Sequence, residues 1–192
     1  MNSEYLIKGE RPTDAKIFLE GQEVAEIKKG EGATFKLVSK DGHEWIITNK
    51  VHGMVRPFSI SILQQNKDNE QDRKQDNDDK DGNNNQVVFT IREHLFKHKG
   101  KFYMLTNHPE GKHWNEYLSG PRYISRLDNF PYSNLTEIDN HIKHSLRRFR
   151  GVPVAEASGL GINGHHVKIT SDEIKDIGLF IAASSYLIYS TG

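Results

Sequence analysis

The sequence feature that most limits the fold is an almost uncharged apolar segment near the end of the chain, residues 177–189. Thr170 or Ser171 can cap a helix before it, and Asp172 and Glu173 would lie in the first turn of that helix. A helix that is apolar on nearly every face must be buried on all sides or inserted in a membrane. The uncharged run is shorter than the ~20 residues that a bilayer span requires, and no basic residue follows it. We therefore predict a helix buried inside the protein.

Short strand patterns separated by turn residues fill much of the remaining sequence. Residues 58–62 are the clearest case, with apolar residues on one face and serines on the other. Lys40-Asp41-Gly42 predicts a hairpin turn, because Asp-Gly accepts the positive φ values that two-residue loops require. Lys99-Gly100-Lys101 predicts another turn. The predicted strands are 15–19, 23–28, 33–39, 44–48, 51–63, 87–91, 95–96 and 102–106.

Residues 66–86 contain no apolar side chain. They hold seven acidic and four basic residues, a net charge of −3, so the rest of the neutral chain is +3. Such a segment cannot bury enough apolar surface to offset the entropy of ordering it. Because strand patterns flank it on both sides, we predict a disordered insertion within a single domain spanning residues 1–192.

Two regions allow more than one interpretation. Residues 108–135 are rich in Gly, Pro, Asn and aromatic side chains and can be placed only loosely. In residues 138–150 the spacing of Ile138, Ile142, Leu146 and Phe149 favours a helix, whereas the neighbouring sequence favours a strand near 146–149. Both alternatives stay open for that segment.

Many strands followed by a helix apolar on all sides predict a mainly β fold, namely a closed antiparallel β-barrel that encloses the C-terminal helix. Closure removes exposed strand edges, and the helix fills a lumen that side chains alone could not fill. A short internal echo supports this arrangement. Residues 21–26 (GQEVAE) return as 151–156 (GVPVAE), and 35–38 aligns with 167–170 after a slip of two residues.

Four short motifs precede the apolar segment in a fixed order: IREHLF at 91–96, GKFY at 100–103, RFRG at 148–151 and VAE at 154–156. In this order they resemble the tubby C-terminal-like superfamily, which includes the phospholipid scramblases and the LURP-one-related proteins. The resemblance covers most of residues 15–190, apart from 66–86 and from 108–135, where no family pattern is recognised. It implies a twelve-stranded barrel around a central helix and, for some relatives, binding of phosphoinositide or other acidic lipid headgroups.

Recognition of an acidic headgroup requires Lys and Arg side chains that project together toward phosphate oxygens. Two clusters could provide them. They are Lys143, Arg147, Arg148 and Arg150, with His141 and His144 beside them, and Arg92 with Lys97, Lys99 and Lys101. We predict that the first cluster, together with Arg92, binds the ligand. The alternative is an ordinary solvated polar face. Because the chain is neutral overall, no long-range field draws it to membranes or nucleic acid.

Other chemistry has little support in the sequence. The chain has no cysteine, which excludes disulfides, thiolate zinc sites and cysteine nucleophiles. Of its ten histidines, His165 and His166 are adjacent and would point to opposite faces of a strand. Residues 77–82 resemble the start of a calcium loop and residues 159–164 a dinucleotide fingerprint, but both lack the required context. We predict no cofactor, no metal ion and no catalytic residue.

The favoured function is a non-enzymatic binding or scaffold module for an acidic phospholipid headgroup at the inner membrane surface. A soluble protein–protein interaction module is the alternative, and a histidine–metal hydrolase is a hypothesis of lower weight. Residues 1–4 lack the pattern of a secretory signal, so we expect a cytoplasmic protein. It would be peripheral to the membrane under the lipid hypothesis, with no transmembrane span and no nucleic-acid partner.

Overall fold

The computed structural model describes residues 2–51, 58–65, 85–92, 94–106, 121–133, 151–158 and 163–191. Within them the chain forms twelve strands, one 3-10 helix and one α-helix. The strands are β1 (Ser3–Arg11), β2 (Asp14–Leu19), β3 (Gln22–Lys29), β4 (Thr34–Ser39), β5 (Glu44–Val51), β6 (Phe58–Gln64), β7 (Gln86–Arg92), β8 (Leu95–His98), β9 (Lys101–Thr106), β10 (Arg122–Leu127), β11 (Gly151–Ala157) and β12 (His165–Ile169). The 3-10 helix Asp172–Ile177 follows, and α1 (Gly178–Thr191) comes last.

The strands form one closed barrel. Each strand pairs with its neighbours in sequence, β12 pairs with β1, and every pair is antiparallel. A path that follows the paired residues from strand to strand once around the wall returns to β1 about 12 residues from its starting point. Because of this stagger, the strands are tilted relative to the barrel axis. The predicted closed antiparallel barrel is confirmed.

The two ends of the barrel can be told apart by strand direction. All odd-numbered strands run toward one end, here named the mouth end, and all even-numbered strands run toward the other, the base end. β12 therefore brings the chain to the base end, where the 3-10 helix lies. From there α1 runs to the mouth end, where Tyr186 Oη donates a hydrogen bond to the carbonyl of Arg11, the last residue of β1.

α1 lies in the lumen and is buried on all faces through its middle. No residue from Ile181 to Ile188 exposes more than 7% of its surface. It packs in one core with fully buried side chains from strands all around the wall, among them Ile7, Ile27 and Ile60. The predicted buried helix is confirmed, and no helix in the described residues is long and apolar enough to cross a membrane.

The start of that helix differs from the prediction. Ser171 is the N-cap, and its Oγ accepts a hydrogen bond from the backbone N–H of Glu173. The turn that follows, however, is a 3-10 helix, and the α-helix begins only at Gly178. Glycine suits this entry point, because a Cβ at Gly178 would lie 2.7 Å from Tyr5 Oη and 2.8 Å from Ile169 Cδ1.

A similar β-bulge recurs at every fourth strand. β3, β7 and β11 each contain one extra residue, and in each it is a valine: Val24, Val88 and Val154. Val24 and Val154 occupy equivalent positions in the internal echo. The echo corresponds to the hairpins β3–β4 and β11–β12, whose registers pair Glu26 with Val38 and Glu156 with Lys168. The paired residues are 12 positions apart in both hairpins, so the two registers are the same, and the slip of two residues is confined to the alignment of 35–38 with 167–170.

Several predicted boundaries need correction or lie outside the described residues. β1 and β10 were not predicted as strands, and Gln86, assigned to the disordered insertion, begins β7. The Lys40-Asp41-Gly42 turn is confirmed: the backbone N–H of Ser39 donates to the carbonyl of His43 across it, and Gly42 has φ +91°. Two-residue loops occur at Glu20-Gly21 and Lys99-Gly100, where both residues have positive φ. Residues 66–84 of the predicted insertion and residues 138–150 lie outside the described part.

Candidate functional site

The structure describes only one of the five predicted ligand-binding residues. Arg92 is the last residue of β7, at the mouth end, and it pairs with Leu95 of β8. Four strand steps, about 19 Å along the wall, separate β7 from β11. Lys143, Arg147, Arg148 and Arg150 lie outside the described residues, and Gly151, which follows Arg150, starts β11 at the base end. Arg92 is therefore not brought beside the start of β11.

The other members of the second predicted cluster are engaged within the protein. Lys97 Nζ donates to the carbonyl of Ser133 at 2.6 Å and lies 5.3 Å from the centroid of the Phe102 ring. Lys99 and Lys101 form ion pairs with residues of the 3-10 helix. These lysines serve internal contacts and do not form a ligand site with Arg92.

Charged side chains at the base end fasten the 3-10 helix to the wall on the β8–β10 side. Arg126 Nη1 donates to the two carboxylate oxygens of Glu173 at 3.1 and 3.3 Å, and Lys101 Nζ lies 3.2 Å from the same group. Asp176 lies 3.0 Å from His98 Nε2 and 2.9 Å from Lys99 Nζ. This set of contacts is named the base latch, and its role is structural because its charges pair with one another.

The base latch shifts the pKa of its members. Burial alone would raise the pKa of Glu173, but the hydrogen bonds from Lys101 and Arg126 outweigh burial, and the net pKa is lowered. Burial likewise opposes the effect of Lys99 and His98 on Asp176, whose net pKa is also lowered. Burial beside Glu173 raises the pKa of Tyr103 to about 12, so its hydroxyl stays a donor to that carboxylate.

The latch predicts a loss of stability in acid. A carboxyl whose pKa is lower in the folded state stabilises the fold above its unfolded pKa, and that contribution disappears as the pH falls through the folded value. We expect Glu173→Gln to cost about 1–3 kcal/mol at neutral pH and the difference from wild type to shrink below about pH 4.3. Urea unfolding of both proteins across a pH series measures this. A difference that stays constant with pH would contradict the assignment of Glu173 as an ionised latch residue.

A second string of polar side chains runs from the mouth end into the lumen, between α1 and strands β10 to β12. Arg122 Cζ lies 4.5 Å from the centroid of the Tyr189 ring. The centroids of the Tyr189 and His165 rings are 4.9 Å apart, and His165 Nε2 is 2.9 Å from Ser185 Oγ. These four residues are named the polar seam. In this part of the wall, the buried residues Ala155 and Ala157 of β11 are small, which leaves room for the larger side chains of the polar seam.

Several buried polar atoms at this end have no hydrogen-bond partner among the described residues. They include Arg122 Nε, Tyr189 Oη and the Oγ of Ser184, which is 1% exposed. Ser184 lines a mostly apolar cavity between α1 and the wall, with room for about one water molecule. Burial raises the pKa of Tyr189 to about 12 although Arg122 opposes the shift, so Tyr189 is a neutral donor at physiological pH.

The charged group of the polar seam is the guanidinium of Arg122. Guanidinium groups donate hydrogen bonds to carboxylate and phosphate oxygens. The structure also confirms that His165 and His166 point to opposite faces: His165 is fully buried, whereas His166 Nδ1 lies 3.2 Å from Glu4 on the outside. The described residues contain no group of three or more potential metal ligands.

The charged residues at the two ends differ in number and in pairing. Each end is taken as the connections between strands and the two residues of every strand nearest to that end, with the 3-10 helix added to the base end. On this definition the described mouth end has six cations and four carboxylates, and the described base end has seven cations and nine carboxylates. The mouth cations are Arg11, Lys28, Lys29, Lys50, Arg92 and Arg122. Only Lys28 among them forms an ion pair with another described residue, at 2.5 Å from Glu26. The mouth end therefore carries cations that the described fold does not neutralise.

Comparison with known proteins gives no assignment: no family model, curated protein or solved structure matches this chain. Arg122 and Tyr189 were not singled out in the sequence. They have 66 residues between them, and they come together only because α1 packs inside the barrel. No sequence pattern singled out Arg122, because β10 was not predicted as a strand.

Proposed function

We propose that the protein is a non-enzymatic binding module of the tubby-like barrel type that recognises acidic lipid headgroups through its mouth end. The observation that carries the proposal is the set of mouth-end cations without an ion-pair partner in the described chain. The twelve-stranded barrel around a central helix, which is the architecture that the sequence resemblance implies, supports it further.

The closed wall limits how such a module can meet a ligand. No described strand has a free edge, so an extended peptide cannot bind by adding a strand. Recognition must then use the ends of the barrel or its outer surface. At the mouth end Arg11, Lys29 and Lys50 are exposed, and each cation close to an anionic membrane contributes about 1 kcal/mol.

Replacing Arg11, Lys29 and Lys50 together by alanine is expected to weaken binding to acidic vesicles on the order of 100-fold, because three such contributions are lost. Co-sedimentation with phosphatidylcholine vesicles, with and without phosphatidylserine or phosphoinositide, measures this. Wild-type binding should require the anionic lipid and should fall as the salt concentration rises.

The matched control replaces Lys40, Lys168 and Lys175, which removes the same charge from the base end and should leave vesicle binding nearly unchanged. A further variant, with Arg147, Arg148 and Arg150 changed to alanine, tests the cluster predicted from sequence. If that variant alone abolishes binding, the ligand class stands and the mouth end is the wrong surface. If wild type ignores anionic lipid, the lipid hypothesis is wrong.

A further inference from the structure

Among the described residues, the 3-10 helix covers the base end of the barrel on one side only. The base latch holds the 3-10 helix against β8, β9 and β10. On the other side, a group of apolar side chains packs against the core but is only partly buried. These residues, named the base floor, are Leu19, Val24, Trp45 and Val88 of the wall and Leu179 and Phe180 of α1.

Aromatic rings form the centre of the base floor. The Trp45 and Phe180 rings meet edge to face with centroids 5.3 Å apart, and the His43 ring stacks on Trp45 at 5.8 Å. Partly exposed tryptophan and phenylalanine side chains in such a cluster are typical anchors of a protein interface.

Acidic groups lie along one border of the base floor, in or beside the β2–β3 and β4–β5 turns: Glu20, Asp41 and Glu44. Asp41 accepts a hydrogen bond from Ser39 Oγ and lies 3.0 Å from His43 Nδ1, and the nearby Glu23 is paired with Lys16 and Lys40. An apolar centre with an acidic border is complementary to a basic amphipathic segment.

We propose that the base floor is a docking site for a basic amphipathic segment of a partner protein. The apolar face of that segment would pack on Trp45 and Phe180, and its lysines and arginines would lie against Glu20, Asp41 and Glu44. This site lies at the opposite end of the barrel from the mouth cations and does not depend on the proposed lipid function.

A synthetic helical peptide of leucine and lysine, with all leucines on one face, tests the proposal against the full chain. Fluorescence anisotropy of the labelled peptide should show saturable binding. The base variant Glu20→Gln/Asp41→Asn/Glu44→Gln should weaken it by about fivefold or more. The mouth variant Glu10→Gln/Asp14→Asn/Glu31→Gln removes the same charge from the other end and should bind like wild type.

Two further peptides separate docking from general attraction of charge. A scrambled peptide of the same composition, with leucines on all faces, should bind more weakly, and a leucine–glutamate peptide should not bind. Phe180→Leu, which keeps the helix apolar, should weaken the original peptide with little change in circular dichroism. Equal binding of the scrambled peptide, or equal losses in the base and mouth variants, would overturn the proposal.

Discussion

A chain that ends after Ile177 is expected to lose the folded barrel altogether, because α1 fills the lumen. The helix buries Ile181, Tyr186, Leu187 and Ile188. At about 1.5–3 kcal/mol for each, these side chains contribute on the order of 6–12 kcal/mol, as much as the whole stability of a typical domain, ~5–15 kcal/mol. Near-ultraviolet circular dichroism and thermal unfolding of the truncated chain measure the effect.

The control for this truncation removes only Thr191 and Gly192, beyond the buried part of α1, and should unfold like wild type within a few degrees. If the chain without α1 keeps a cooperative transition and a native near-ultraviolet spectrum, the helix is an appendage and the description of the fold as a filled barrel is wrong.

The second large effect is expected from a charge placed inside the lumen. Leu187 is 0% exposed, so Leu187→Asp loses a buried apolar side chain and sets an unpaired carboxylate among hydrocarbon groups. The expected loss of unfolding free energy is about 5 kcal/mol or more. Leu179→Asp makes the same change in the partly exposed first turn of α1, where the helix dipole favours a negative charge, and should cost about 1–2 kcal/mol.

Urea unfolding of the two aspartate variants gives both values, and Leu187→Met, which nearly keeps the volume, should cost less than about 1.5 kcal/mol. Similar losses for the two aspartate variants would mean that the middle of α1 is no more buried than its first turn, contrary to the structure.

The closed barrel and its central helix could be predicted because one property leaves few alternatives. A helix with apolar side chains on every face needs an apolar environment on every side, and a sheet closed around it provides one. The internal echo was informative for the same physical reason. It repeats a bulged strand and its hairpin partner, and a slip of two residues keeps every side chain on its original face of the sheet.

The strands that escaped prediction depart from simple alternation for identifiable reasons. In β1, Gly9 interrupts the pattern begun by Tyr5 and Ile7. In β10, Arg122 and Arg126 lie on the same face as the buried Ile124, one on each side of it. Arg122 contacts Tyr189 near one end of the lumen, and Arg126 contacts Glu173 near the other. The sequence offers no sign of these partners.

The β8–β10 region also obscures the pattern, because both faces of the wall are covered there. Leu95, Phe102 and Met104 are buried in a separate cluster against Phe130 and Tyr132. A strand buried on both faces reads as a continuous apolar run, from which the inward face cannot be chosen. Sequence patterns therefore predicted the strands β8 and β9 but not what lies on either side of them.

The residues that meet at the candidate site could not be predicted from the sequence. Most of the basic residues selected there were neighbours along the chain. The structure instead brings together Arg122, His165 and Tyr189 from three separate elements. Local clustering of charge is a weak guide in an antiparallel barrel, since successive turns alternate between its two ends.

The order of elements along the chain also affects how this protein is made. The helix that fills the lumen follows all twelve strands in sequence, and the pairing of β12 with β1, which closes the barrel, joins residues more than 150 positions apart. During translation, hairpins formed by the early strands can fold first, but the barrel cannot close until β12 and α1 have left the ribosome. The nascent chain would expose its inward isoleucines throughout that interval, so its yield in the cell should depend on chaperones that shield hydrophobic surface.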